Sequence, residues 1–210
     1  MAENEALKPA RSERGAVESA ISPTRAGTGI WTHLAFVGII GVVSLIRWRL
    51  LRDTPYPTGL DGGNWLAYGH AIFGEHIRSS SLVYPPVVPV LAVASERLFG
   101  SFEGLRTLAF IAAAAPAAGF YVLLYVWGLK WRAAPLAGFL AASAATGDPM
   151  AWGGYPQLIG LGMLPLFVVA LERFLTSHRL VHAFAPALVM LGVLATSDIV
   201  GPLTVLVGAI

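Results

Sequence analysis

The chain has 210 residues, of which 56% are hydrophobic and only 12% charged, and its mean hydropathy is +0.67. A soluble domain is nearer a quarter charged, so these values exclude an ordinary water-soluble globule and indicate an integral membrane protein. The formal charge of +2 is too small to suggest a nucleic-acid surface, and the absence of cysteine excludes disulfides and thiolate metal sites.

Residues 1–29 are polar, mixed in charge and rich in Ala, Ser and Arg, which is the composition of a disordered tail. The first apolar segment begins too late for a typical secretory signal and reads as a retained signal anchor. Residues 26–46 are uncharged, long enough to cross a hydrocarbon core of about 30 Å. After the basic run RWRLLRD comes a Pro/Gly-rich loop, TPYPTGLDGGN, and then a short helix that carries Asn64, Trp65, Tyr68, His70 and Glu75. Further uncharged runs begin at residues 107, 133, 156 and 183. The last run, from residue 199, holds twelve residues and is too short to span, so the sequence reads as the N-terminal piece of something longer.

Residues 81–100 decide the topology. Three prolines occupy the first half, and Glu96 and Arg97 shorten the apolar part to about 14 residues, a length more usual for a re-entrant or interfacial segment. If this segment does not cross, the segments 1–29, 130–134 and 172–182 lie together and hold eight of the fourteen basic residues. If it crosses, six basic residues lie with the tail. The positive-inside tendency therefore favours the non-crossing arrangement, with the N-terminus cytoplasmic and Asp61, Asp148 and Asp198 on the outer face. Arg47, Arg49 and Arg52 count against it. Trp31, Trp48, Trp127, Trp131 and Trp152 fall at proposed span ends, as an aromatic belt would place them.

Carboxylates at span ends are either solvated loop groups or functional ones. Asp61 precedes Gly62 and Gly63, and Asn64, Trp65 and Tyr68 follow at i+3, i+4 and i+7 on its helix face. Helix capping would need one acceptor oxygen and leaves that polar-aromatic face unexplained. Asp148 sits in TGDPMAWGGYPQL, where Gly147 and Pro149 force a turn; Asp198 reads as a turn or cap. His178 and His182 have i, i+4 spacing but occupy a short connector, where a solvated face is the plainer reading. His33 reads as packed or interfacial, and His70 and His76, beside Glu75, are candidates to contact a phosphate or metal. No P-loop, dinucleotide fingerprint, zinc-protease motif or nucleophile elbow is present.

Three features then recur in order: the Asp-Gly turn of LDGGNWLAYG, the segment YPPVVPVLAVASERLFG, and the later aspartate loop running into WGGYPQLIGL. This arrangement resembles the GT-C-fold glycosyltransferases, multi-pass enzymes that use lipid-phosphate-linked sugars. The resemblance covers roughly residues 30–200. It implies an all-α polytopic transmembrane helix bundle with interfacial helices in the first outer loop, occupying residues 30–210 of a plasma or inner membrane protein and incomplete at its C-terminus. It also implies a hexosyl- or pentosyltransferase that draws on a polyprenyl-phosphate sugar donor held in the bilayer, with an acceptor the sequence does not specify.

Asp61 matches the first-loop aspartate, which in such enzymes acts as base or orients the acceptor. Asp148 matches the second-loop acidic residue, which in some members binds a divalent metal, Mg or Mn. Asn64, Trp65, Tyr68, His70, Glu75, Arg78, Tyr84 and Tyr155 would line the substrate site, Arg78 being suited to the departing phosphate. No second acidic residue adjoins either aspartate, so a DD or DxD pair is absent. The alternatives are a secondary transporter, which Gly/Pro-interrupted helices and carboxylates would suit, and a catalytically inactive structural fragment.

Overall fold

The computed structural model describes residues 28–52, 62–74, 84–143, 153–177 and 179–209. Described residues form eight α-helices and no strands: α1 Thr28–Arg52, α2 Gly62–Ile72, α3 Val87–Phe99, α4 Ser101–Val126, α5 Lys130–Ala142, α6 Tyr155–Ser177, α7 Phe184–Thr196 and α8 Val200–Ala209. A short 3-10 helix, Leu180–Ala183, precedes α7. Three helices are long and apolar enough to cross a membrane, over Gly29–Ile46, Ser101–Val126 and Tyr155–Ser177. The expected run from residue 133 yields a 13-residue helix, α5, and the run from 183 yields the 13-residue α7, each only about 20 Å long.

Helix α4 is the axis of the bundle, with α1, α3, α5 and α6 packed around it. Its alanines explain why. Ala109, Ala112, Ala113 and Ala117 are all buried, and side chains this small let neighbouring backbones approach. The closest approach is at Gly119 and Gly162, where a Cβ on Gly119 would overlap the Gly162 carbonyl and a Cβ on Gly162 would overlap the backbone of Ala115. Between spans in hydrocarbon, such contact replaces a hydrophobic driving force that lipid does not supply.

Helix directions follow from these contacts. Gly29 lies beside Tyr125, His33 bonds Tyr121, and Phe36 stacks on Tyr121 with centroids 4.0 Å apart, so α1 runs antiparallel to α4. Leu105, Leu108, Tyr155 and Leu158 share one core, and Trp127 at the end of α4 donates to Glu172 near the end of α6. Hence α4 and α6 are parallel. The end of α1 and the start of α4 therefore lie at the same end of the bundle, which is what the non-crossing arrangement requires.

At that end of the bundle α3 stands antiparallel to the start of α4. Two of its three early prolines suit a helix start: Pro86 occupies the N-cap position and Pro89 lies in the first turn, where a missing N–H costs no bond. A single residue, Gly100, turns α3 into α4 with φ +85° and ψ 164°, a region essentially restricted to glycine. Gly104 then packs directly on the backbone of Ser95 and Glu96, and Gly69 of α2 on the carbonyl of Pro89.

The opposite end collects exposed Trp31, Trp127 and Trp131 with Lys130, Arg132, Arg173 and Arg179. Trp152 and the side chain of Trp48 lie outside the described residues, as does the tail before Thr28.

Candidate functional site

The first-loop helix, the YPP segment and the second loop meet at one place. Trp65, on the first full turn of α2, is 6% exposed, and its indole N–H donates to the Gly153 carbonyl at 2.7 Å. That carbonyl belongs to the GGY turn, where Gly153 adopts φ +84° before α6 begins. One turn of helix back, a Cβ on Gly62 would meet Tyr155 Oη at 3.5 Å. Tyr155 is fully buried in the core with Val88 of α3 and Leu108 and Ala112 of α4. The N-termini of α2 and α6 therefore converge beside the YPP segment. Helix N-termini present unpaired N–H groups and the positive end of the dipole, which favours anions.

Three aromatic rings form the rim. Tyr68 and Tyr84 stack with centroids 4.7 Å apart and an interplanar angle of 18°. Trp65 meets both edge-on, at 5.9 Å and 5.7 Å. Trp65 is the buried base of this group, Tyr68 is half-buried, and Tyr84 is 41% exposed. Asn64, one turn before Tyr68, is exposed. The helical spacing that suggests one polar-aromatic face thus divides into a structural member, Trp65, and two residues open at the surface or close to it, Asn64 and Tyr68.

His70 has a different partner from the one its sequence neighbours suggest. Its Nε2 lies 2.6 Å from Glu96 Oε2 on α3, and the other oxygen, Oε1, accepts from Ser101 Oγ at 2.6 Å. The Ser101 bond, and after it the His70 bond and charge, hold the Glu96 carboxyl below its ordinary range, against an opposing push from partial burial. This cluster ties α2, α3 and α4 together at one end of the bundle. Arg97 adds a contact over the Phe73 ring at 5.1 Å. Glu96 reads in sequence only as a charge that shortens an apolar run, and nothing in the local pattern marks its partner 26 residues away.

Asp61, Asp148, Glu75, Arg78, His76 and His178 lie outside the described residues. Asp198 is exposed in the turn between α7 and α8, where the cap is instead Ser197, whose Oγ accepts from Val200 N at 3.1 Å. His182 bonds Ser177 at 2.6 Å, and His33 bonds Tyr121 at 2.6 Å at the end of the bundle remote from the rim. Among the described residues no three His, Asp or Glu side chains gather as a metal site would require.

No protein-family profile, curated protein or solved structure matches the chain.

Proposed function

We propose that the chain transfers a glycosyl group from a polyprenyl-phosphate-linked sugar to an acceptor hydroxyl at the outer face of the membrane. The observation that carries the reading is the Trp65–Gly153 hydrogen bond. It joins two segments, 88 residues apart in the chain, each adjoining an aspartate that the resemblance gives a role in the site. In the sequence Asp61 directly precedes α2 and Asp148 lies five residues before Gly153.

In this reading the acceptor oxygen attacks the anomeric carbon, the bond from that carbon to the phosphate oxygen breaks, and polyprenyl phosphate leaves. Asp61 takes the acceptor proton. The converging N-termini of α2 and α6 favour the phosphate, together with Arg78. The lipid tail reaches the site laterally from the bilayer. Asp148, the residue expected to hold a divalent Mg or Mn ion, lies outside the described residues. The basic and Trp-rich end, with the N-terminus, is assigned to the cytoplasm of a cell that keeps this protein in its plasma or inner membrane.

The test is release of polyprenyl phosphate from polyprenyl-phosphate sugars by the purified chain in lipid nanodiscs, with Asp61→Asn alongside. Loss of about 10²–10⁴-fold in the variant is expected for a positioned base. Release that is equal in both proteins, or absent from both, would remove the reading.

A further inference from the structure

The rim offers one surface whose chemistry points to a ligand. Tyr68 and Tyr84 lie nearly parallel, so one face of Tyr84 is covered by Tyr68 while the residue keeps 41% of its area exposed. Trp65 locks both rings from below, and Trp65 is itself fixed by Gly153. The plane of Tyr84 is therefore set before anything binds. Exposed Asn64 stands one helical turn from Tyr68 and brings a carboxamide that both donates and accepts.

We propose that the Tyr68–Tyr84 stack, with Asn64, is a platform on which a sugar ring lies. An aromatic face carries negative quadrupole density, which attracts the weakly positive C–H groups on the apolar face of a pyranose. Hydroxyls at the edge of such a ring need paired donors and acceptors, which a carboxamide supplies. The three rings carry no charge of their own, and their faces suit the C–H groups of a neutral ligand. A lipid tail fits it less well, because it would leave the carboxamide beside hydrocarbon. For its place in a reaction this inference rests on the glycosyl-transfer reading; its binding test does not.

The ring has two sources, the acceptor or the glycosyl unit of the donor. The first experiment uses free methyl glycosides of glucose, galactose, mannose and N-acetylglucosamine with the purified chain in nanodiscs, read by saturation-transfer NMR. Saturation of the ring C–H protons of at least one glycoside is expected, preserved in Tyr84→Phe and weakened about tenfold in Tyr84→Ala. Asn64→Ala, at an exposed position that leaves the aromatic packing intact, provides a second variant and also weakens binding. Saturation of none of the glycosides, or binding unchanged in both Tyr84→Ala and Asn64→Ala, overturns the platform. Where transfer is measurable, a raised KM for acceptor in Tyr84→Ala assigns the ring to the acceptor, and a raised KM for donor assigns it to the donor. Glycoside binding without transfer keeps the platform and removes the reaction. Transfer with both KM values unchanged in Tyr84→Ala does the reverse.

Discussion

The indole N–H of Trp65 donates to the carbonyl of Gly153 at 2.7 Å in a buried setting, and this one bond couples α2 to the turn that opens α6. Replacing Trp65 with Phe removes this bond and part of a packed ring, while the Gly153 carbonyl keeps the backbone N–H of Tyr155 at 2.8 Å. The lost hydrogen bond is worth about 0.5–1.5 kcal/mol. We expect the unfolding midpoint of Trp65→Phe in bicelles to fall accordingly, while Trp31→Phe, exposed at the far end, stays near wild type. Equal effects at the two positions would contradict a tether.

Acid should loosen the junction of α2, α3 and α4. Glu96 is held below its ordinary value of 4.5, chiefly by Ser101 and then by His70. A depressed carboxyl contributes stability that is fully present above the unfolded-state value and lost as pH falls through the folded-state one. The wild-type melting temperature should therefore decline as pH falls below about 4.5, by more than that of Glu96→Gln. Parallel profiles would show that the cluster does not couple protonation to folding.

Gly100 connects α3 to α4 with φ +85° and ψ 164°. A Cβ in that region costs on the order of 1–3 kcal/mol, because the backbone there is essentially closed to other residues. Gly100→Ala should destabilise by this amount although nothing lies within 4 Å of the added methyl group. A neutral result in chemical denaturation would mean that the elbow relaxes freely.

Space, not backbone angle, is limiting at Gly162. An added methyl would strike the backbone of Ala115, which no side-chain rotation can relieve. Overpacking of this kind costs typically about 1–3 kcal/mol. Gly162→Ala should lower stability, whereas Gly63→Ala, with open space around it, should not. The comparison is made by denaturant midpoints in one detergent.

Topology has a direct check, since the chain contains no cysteine. Asn64→Cys and Trp131→Cys lie at opposite ends of the bundle, both at exposed positions. A membrane-impermeant thiol reagent added to whole cells should label the first and spare the second. Labelling in the reverse order would turn the protein over; labelling of both would break the bundle geometry.

Composition and charge spacing by themselves determine that this is a helical membrane protein, because uncharged runs of span length have few other uses. They also locate α1, α4 and α6, and the basic-residue distribution already favours keeping residues 81–100 on one side. The prolines of YPPVVP look like helix breakers in sequence, yet two of them suit the start of α3, since position within a helix decides what a proline costs.

Tertiary structure decided the rest. Period and spacing place Asn64, Trp65 and Tyr68 together but do not distinguish the buried member from the exposed ones; packing against α3, α4 and α6 does so. No local signal pairs His70 with Glu96, or Trp65 with Gly153, because each bond joins residues far apart in the chain. Runs of small residues are legible as such in sequence, but which glycine meets which is not. Only the crossing of α4 over α6 brings Gly119 against Gly162, because the close approach requires both backbones to be bare at the same height.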